Sequence, residues 1–209
     1  MIRKRQLSLA APIKVNTPML LDDFLPKYEF NEIHAVTVHA PPDRVFAAIH
    51  ELRAGELSPL VNLMLSLRTL PSRLLRRAGP RLADDKPFLQ QLFAGGFIPL
   101  GEAPDREVVF GLIGQFWKLT GGDSPPIASP EEYLAFNDPA YAKVAANLLI
   151  NATAVSGAVR LSTETRIHVF DPKTRRKFGF YWRLISLGSG FIRVLWLKAV
   201  KRRAERAIN

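Results

Sequence analysis

The sequence predicts an α+β fold in which an antiparallel sheet is covered by one long C-terminal helix. Three observations carry this. Residues 171–208 keep an apolar spacing of three and four through Phe178, Trp182, Ile185, Ser189, Ile192, Leu195 or Trp196, Ala199, Ala204 and Ile208. Residues 88–170 change to a period of two in most of their apolar stretches, the mark of half-buried strands. The first alternating stretch, residues 28–40, is followed by segments of helical pattern, so the order is strand, two helices, a run of strands, then the long helix. A sheet with one apolar face needs a long amphipathic element to cover it.

In chain order, residues 1–27 mix basic, apolar and proline positions without period and read as an arm that packs partly on the body or is loosely ordered. Residues 28–40 place Phe30, His34, Val36 and Val38 on one face of a strand. Pro41-Pro42-Asp43 ends that strand and starts a short helix over 43–49. Residues 58–78 have the leucine spacing of a second helix, interrupted at Pro71. Strands are expected at 97–102 and 107–117, joined by a hairpin turn at 103–105. After a glycine- and proline-rich loop at 121–126, Ser129-Pro130-Glu131-Glu132 is a capped helix start. Two further strands follow at 141–152 and 159–170. Asp171-Pro172 opens the last helix, because the carboxylate can accept free first-turn N–H groups and proline gives up no bond there. Gly188-Ser189-Gly190 interrupts its apolar face and predicts a kink or a close approach to something bulky. The whole reads as an arm, 1–27, and one domain, 28–209.

The 209 residues are 47% hydrophobic and 10% aromatic, enough for one sizeable core. With no cysteine, disulfides, thiolate catalysis and cysteine-ligated metals are excluded. Arg3, Lys4 and Arg5 precede an apolar run that ends at Pro12, too short for an export signal. No stretch approaches the roughly 20 apolar residues of a spanning helix, so a cytoplasmic protein is expected, one able to touch a membrane surface. The C-terminal segment from Lys173 holds eleven cations against Glu205, a net +10 equal to that of the whole chain. That is either a solvated face or a patch for anionic lipid, with Lys198, Lys201, Arg202 and Arg206 its candidates. Nucleic acid is the weakest partner, since no reading motif accompanies the charge.

The chain's four histidines, His34, His39, His50 and His168, have no metal-ligand spacing, and no nucleophile elbow or phosphate loop is present, so no metal or cofactor is expected. His34 shares a face with Val36 and Val38 and points inward, as a core histidine or as a polar anchor or acid/base in a cavity. Glu164 and Arg166, two apart and opposite the apolar set, are either a surface charge ladder or a pair holding a ligand head group. Phe110, Phe116, Trp117, Tyr181 and Trp182 are core or cavity lining. Asn147 and Asn151 can offer a ligand hydrogen bonds or serve at edges and turns.

The block Glu32-x-His34-x-Val36-x-Val38-x-Ala40-Pro41-Pro42-Asp43-Arg44-Val45-Phe46 resembles the START-like, or SRPBCC, superfamily. The blocks at 111–117, 161–166 and Tyr181-Trp182-Arg183 resemble its small bacterial members of unassigned function. The resemblance spans about residues 28–207 and implies a helix-grip fold, a curved antiparallel sheet wrapped round the C-terminal helix with an apolar cavity between them. On that reading His34, Phe110, Trp117, Asn147, Thr165, Tyr181 and Trp182 are cavity candidates, and Glu164 and Arg166 polar anchors. Superfamily members include lipid carriers, hormone receptors, cyclases and hydrolase subunits, so fold does not fix function. The expected function is a module that binds a lipid-like or aromatic molecule. The alternative is a cofactor-free cyclase or dehydratase, with His34 as acid or base and Glu164 or Asn147 orienting the substrate.

Overall fold

The computed structural model describes residues 18–57, 83–118 and 122–206, without the side chains of Leu184 and Leu187. Five strands, β1 (Phe30–Val38), β2 (Ile98–Ala103), β3 (Glu107–Gly114), β4 (Ala142–Ala152) and β5 (Val159–Val169), form one sheet in the order β1-β5-β4-β3-β2. Every neighbouring pair is antiparallel. The helices are α1 (Leu21–Phe24), α2 (Pro42–Glu51), α3 (Phe88–Ala94), α4 (Pro130–Ala135) and α5 (Pro172–Arg206), with a 3₁₀ turn at Ala54–Glu56. The curved sheet and the long α5, with α2 and α3 between β1 and β2, make a helix-grip α+β fold.

The starts of the helices follow local chemistry. Asp171 accepts the Thr174 N–H at 2.6 Å, and that bond holds its carboxyl below the usual carboxylate range. A carboxyl so lowered supports the helix above its unfolded pKa, and that support is lost as pH falls through the lower folded value. Ser129 caps α4 by accepting the Glu132 N–H at 3.2 Å, as the sequence pattern predicts. Pro42 begins α2.

Residues 88–94, expected to begin the strand region, are instead helix α3. Phe88, Leu89 and Leu92 stand on one helical face, and Gly96, at φ 99°, stops the turn where a side chain would be strained. The expected helix over 58–78 lies outside the described residues. The hairpin turn comes one residue later than expected, at 104–106, with Asp105 at φ 57°. Across Gly188-Ser189-Gly190, α5 continues uninterrupted for 35 residues, about 50 Å.

The main core lies between the sheet and α2, α3 and the C-terminal half of α5, where Val45, Ile49, Leu148, Leu161, Leu197 and Val200 are buried. A second cluster sits at the start of α5, where Phe178 packs on Phe30 and Trp117, with ring centroids 5.2 and 5.9 Å away. The opposite face of the sheet is not the solvated face that strand alternation suggests. It is covered by α1 and α4, which bury Leu21, Val109, Ile113, Tyr133 and Ala145. Gly111 makes room for this, since a Cβ there would stand 2.8 Å from the Tyr133 ring. Among the described residues no helix is long and apolar enough to cross a membrane.

Two neighbouring phenylalanines on α5 test the packing. Phe178 is 1% exposed and Phe180 76%. Phe178→Ala is expected to cost about 3–5 kcal/mol, by lost burial and the cavity left behind. Phe180→Ala should stay within about 0.5 kcal/mol of the parent. Denaturant melts of the two variants check the assignment.

Candidate functional site

Along β1, alternate side chains face α5, so Phe30, Glu32, His34, Val36 and Val38 share the concave side. Glu32 uses its two carboxylate oxygens separately: Oε1 meets His34 Nε2 at 2.7 Å and Oε2 accepts from Arg193 Nη1 at 2.7 Å. These three side chains are 16–23% exposed, so the charge-assisted bonds form at the edge of the core. Gly190 lets them reach the helix backbone, because a Cβ there would lie 2.9 Å from His34 Nε2 and collide with Glu32 Oε1. Of the two expectations for the glycine pair, the structure shows the close approach.

The pairing register extends this site across the sheet. Phe110, Ala146, Thr165 and Glu32 form one cross-strand row on the concave face, and Leu112, Val144, Ile167 and Phe30 form the next. The first row runs from an aromatic through a methyl and a hydroxyl to a carboxylate. Thr165 is 2% exposed, yet its Oγ1 has no hydrogen-bond partner among the described residues. The Trp196 Nε1, 7% exposed and beside Phe110 with ring centroids 5.9 Å apart, also lacks one. Leaving such a group unpaired costs roughly 1–3 kcal/mol, so these atoms mark where a bound molecule or water would be stabilised. Leu112 and Val144, at the adjoining row, are only half-buried. The long helix lies over β1 and β5, while on the concave side of β3 and β4 Phe110 and Ala146 pack in the main core and Val144 packs against the cluster around Phe178.

The carboxylate at Nε2 fixes the neutral imidazole with its proton on that nitrogen. Nδ1 is then an acceptor, and it has no hydrogen-bond partner among the described residues. The arrangement can accept a hydrogen bond from a ligand hydroxyl or take up a proton. Among the described residues no group of three His, Asp or Glu is placed to hold a metal ion.

Of the cavity candidates, His34, Phe110 and Thr165 share the concave face. Trp117, Tyr181 and Trp182 belong to the aromatic cluster around Phe178 at the start of α5. Asn147 is a correction: it lies on the opposite face, where Nδ2 donates to Glu107 at 2.8 Å and Oδ1 accepts the Glu164 N–H at 2.8 Å. Glu164 and Arg166 are neither a surface ladder nor anchors on the concave face. They are buried on that same opposite face, with Arg166 bonded to Glu164 at 2.9 Å, to Asp22 at 2.7 Å and to the Leu25 carbonyl at 3.3 Å. Burial works against the Arg166 charge, but the Glu164 and Asp22 bonds outweigh it and raise its pKa. Glu107, 1% exposed, completes this polar belt by accepting the Leu20 and Leu21 N–H groups at the start of α1. The belt therefore holds the N-terminal arm.

Sequence reasoning missed Glu32 and Arg193 as site residues. The alternation that turns His34 inward does the same for Glu32, two residues away, and an acid on an otherwise apolar strand face was the available signal. In the basic patch, Lys198, Arg202 and Arg206 are exposed. Lys201 departs from them, since its ammonium is turned to the Thr37 carbonyl at 2.7 Å and Glu205 at 2.6 Å.

No protein-family model matches the chain, and no curated protein matches it significantly. Among solved structures the chain is similar to protein MLL2253 from Mesorhizobium loti, at 13% identity over 85% of this chain and 98% of that one, with a TM-score of 0.36. That likeness is too distant to bear on fold or function.

Gly190→Ala is expected to destabilise the protein by about 1–3 kcal/mol, because the added methyl group forces Glu32 and His34 off the helix. A thermal melt, with the His34 ring resonances followed by NMR, checks both parts. An unchanged melt and unchanged resonances would show that the contact is slack.

Proposed function

We propose that the chain is a binding module of START-like type that holds an elongated hydrophobic molecule in the groove between α5 and the concave face of the sheet. The observation that supports this most is the cross-strand row Phe110, Ala146, Thr165 and Glu32, apolar at one end and polar at the other. The apolar end of a ligand lies along Phe110, Leu112 and Val144, where burial supplies the affinity. Its head reaches the Thr165 hydroxyl and His34 Nδ1, which together favour a neutral hydroxyl able to donate to Nδ1, because the Glu32 charge is already met by Arg193.

Leu112→Trp tests the groove directly, since Leu112 is half-buried on its wall and a larger ring takes up ligand space. Titration with the fluorophore anilinonaphthalene sulfonate should show saturable binding to the parent. The variant should bind at least about tenfold more weakly, a loss of about 1.4 kcal/mol, at an unchanged melting temperature. Equal binding by the two proteins removes the groove as the site.

A second reading, a cofactor-free enzyme, is favoured by the 2.7 Å Glu32 to His34 contact, which leaves Nδ1 placed as a base. Glu164 and Asn147 have no part in it, being on the other face. Conversion of the molecule extracted from purified protein, by the parent and not by His34→Asn, distinguishes catalysis from carriage.

A further inference from the structure

The solvent side of α5 has a pattern that neither the core nor the groove explains. Most of its exposed positions fall in one row along the helix: Lys173, Arg176 and Lys177 at the start, Phe180 and Phe191 in the middle, and Lys198, Arg202 and Arg206 at the end, with Arg183 exposed at the row's edge. Phe180 is 76% exposed and Phe191 44%. They are eleven residues, or three turns, apart and so on one face, and the sequence has Leu184 and Leu187 at the intervening positions of the same three-and-four spacing. An apolar segment about 16 Å long is therefore bracketed by a cationic cluster at each end, in a helix about 50 Å long.

We propose that this face of α5 docks the protein on an anionic lipid bilayer, lying in the interface plane with Phe180 and Phe191 among the acyl chains and the two cationic clusters on lipid phosphates. The charge decides the partner. Among the exposed positions from 173 to 206 in this row there is no acid, so a second copy placed on it, parallel or antiparallel, would set cations against cations. A bilayer bearing anionic headgroups meets both clusters at once, and the long lysine and arginine side chains can reach upward from the apolar segment to the phosphates. The Lys201 ammonium, held by Glu205 and Thr37, is not part of this surface, whereas Arg202 donates one bond to the Glu56 carbonyl at 3.1 Å and stays exposed. The proposal does not depend on the groove holding a ligand, because the two features lie on opposite sides of α5.

Flotation of the full chain with phosphatidylcholine vesicles and with mixed phosphatidylcholine–phosphatidylglycerol vesicles tests it, beside light scattering without lipid. The parent should float with the mixed vesicles and stay behind with the neutral ones. Phe180→Ser with Phe191→Ser changes exposed side chains only and should keep the melting temperature, yet lose at least about tenfold in partitioning to mixed vesicles. Lys198→Glu with Arg202→Glu and Arg206→Glu should abolish flotation. The proposal is overturned if the double serine variant floats like the parent, which reduces the face to a diffuse electrostatic surface. It is overturned equally if the parent scatters as a dimer that the double serine variant dissociates, which makes the face a seam between copies.

Discussion

The arrangement depends on a single close approach, that of the helix backbone at Gly190 to the Glu32 and His34 side chains of β1. A long helix over a sheet is ordinarily held off by its own side chains, at about 10 Å. Here a residue without a side chain lets a carboxylate and an imidazole fit beneath the helix, and Arg193, three residues on, supplies the countercharge. The apolar clusters around Phe178 at one end and around Leu197 at the other hold the helix from both sides of this point. Glycine inside a helix costs about 1 kcal/mol against alanine, so retaining it in a buried stretch is explained by the fit rather than by helix stability.

The second constraint is on the other face. Glu107, Asn147, Glu164, Arg166 and Asp22 form a connected belt that ties β3, β4 and β5 to the N-terminal arm. Buried charges of this kind add little net stability compared with apolar residues, but losing one partner strands the others, so the belt specifies where the arm must sit. With its outer face covered by α1 and α4, the sheet is packed on both sides, and the proposed ligand would lie on the concave one. The polarity of that face rises from Phe110 towards Glu32 along a row fixed by strand register, a sharper placement than loops would give.

Much of the fold was legible because it rests on period and punctuation. Asp171-Pro172, Ser129-Pro130 and Pro42 each begin a helix where the sequence says so, and β4 and β5 begin and end within a residue of their alternating stretches. The helix at Phe88–Ala94 was not legible, since seven residues give too few turns to separate a period of 3.6 from a period of two. In the site, the inward turn of His34 and Thr165 followed from alternation. The same alternation puts Asn147 opposite Val144, Ala146 and Leu148, so its assignment to the cavity went against the strand's own pattern. Glu164 and Arg166 stand on the expected face, but neither a solvated ladder nor a pair of ligand anchors describes them, because nothing local to β5 reveals that Asp22 and Leu25, more than 130 residues earlier, cover them. Arg193 was hidden among the cations of α5, as its partner comes from a strand 161 residues away.

We propose that this side of the sheet holds a small molecule with an apolar body and a hydroxyl at its head, a reading supported by the Thr165 hydroxyl and the His34 ring on the concave face. Native mass spectrometry of protein purified from its own cells tests this most directly. The account predicts a noncovalent adduct that is released on denaturation and partitions into organic solvent. Only the mass of the bare chain, even after incubation with a lipid extract of the same cells, would contradict it.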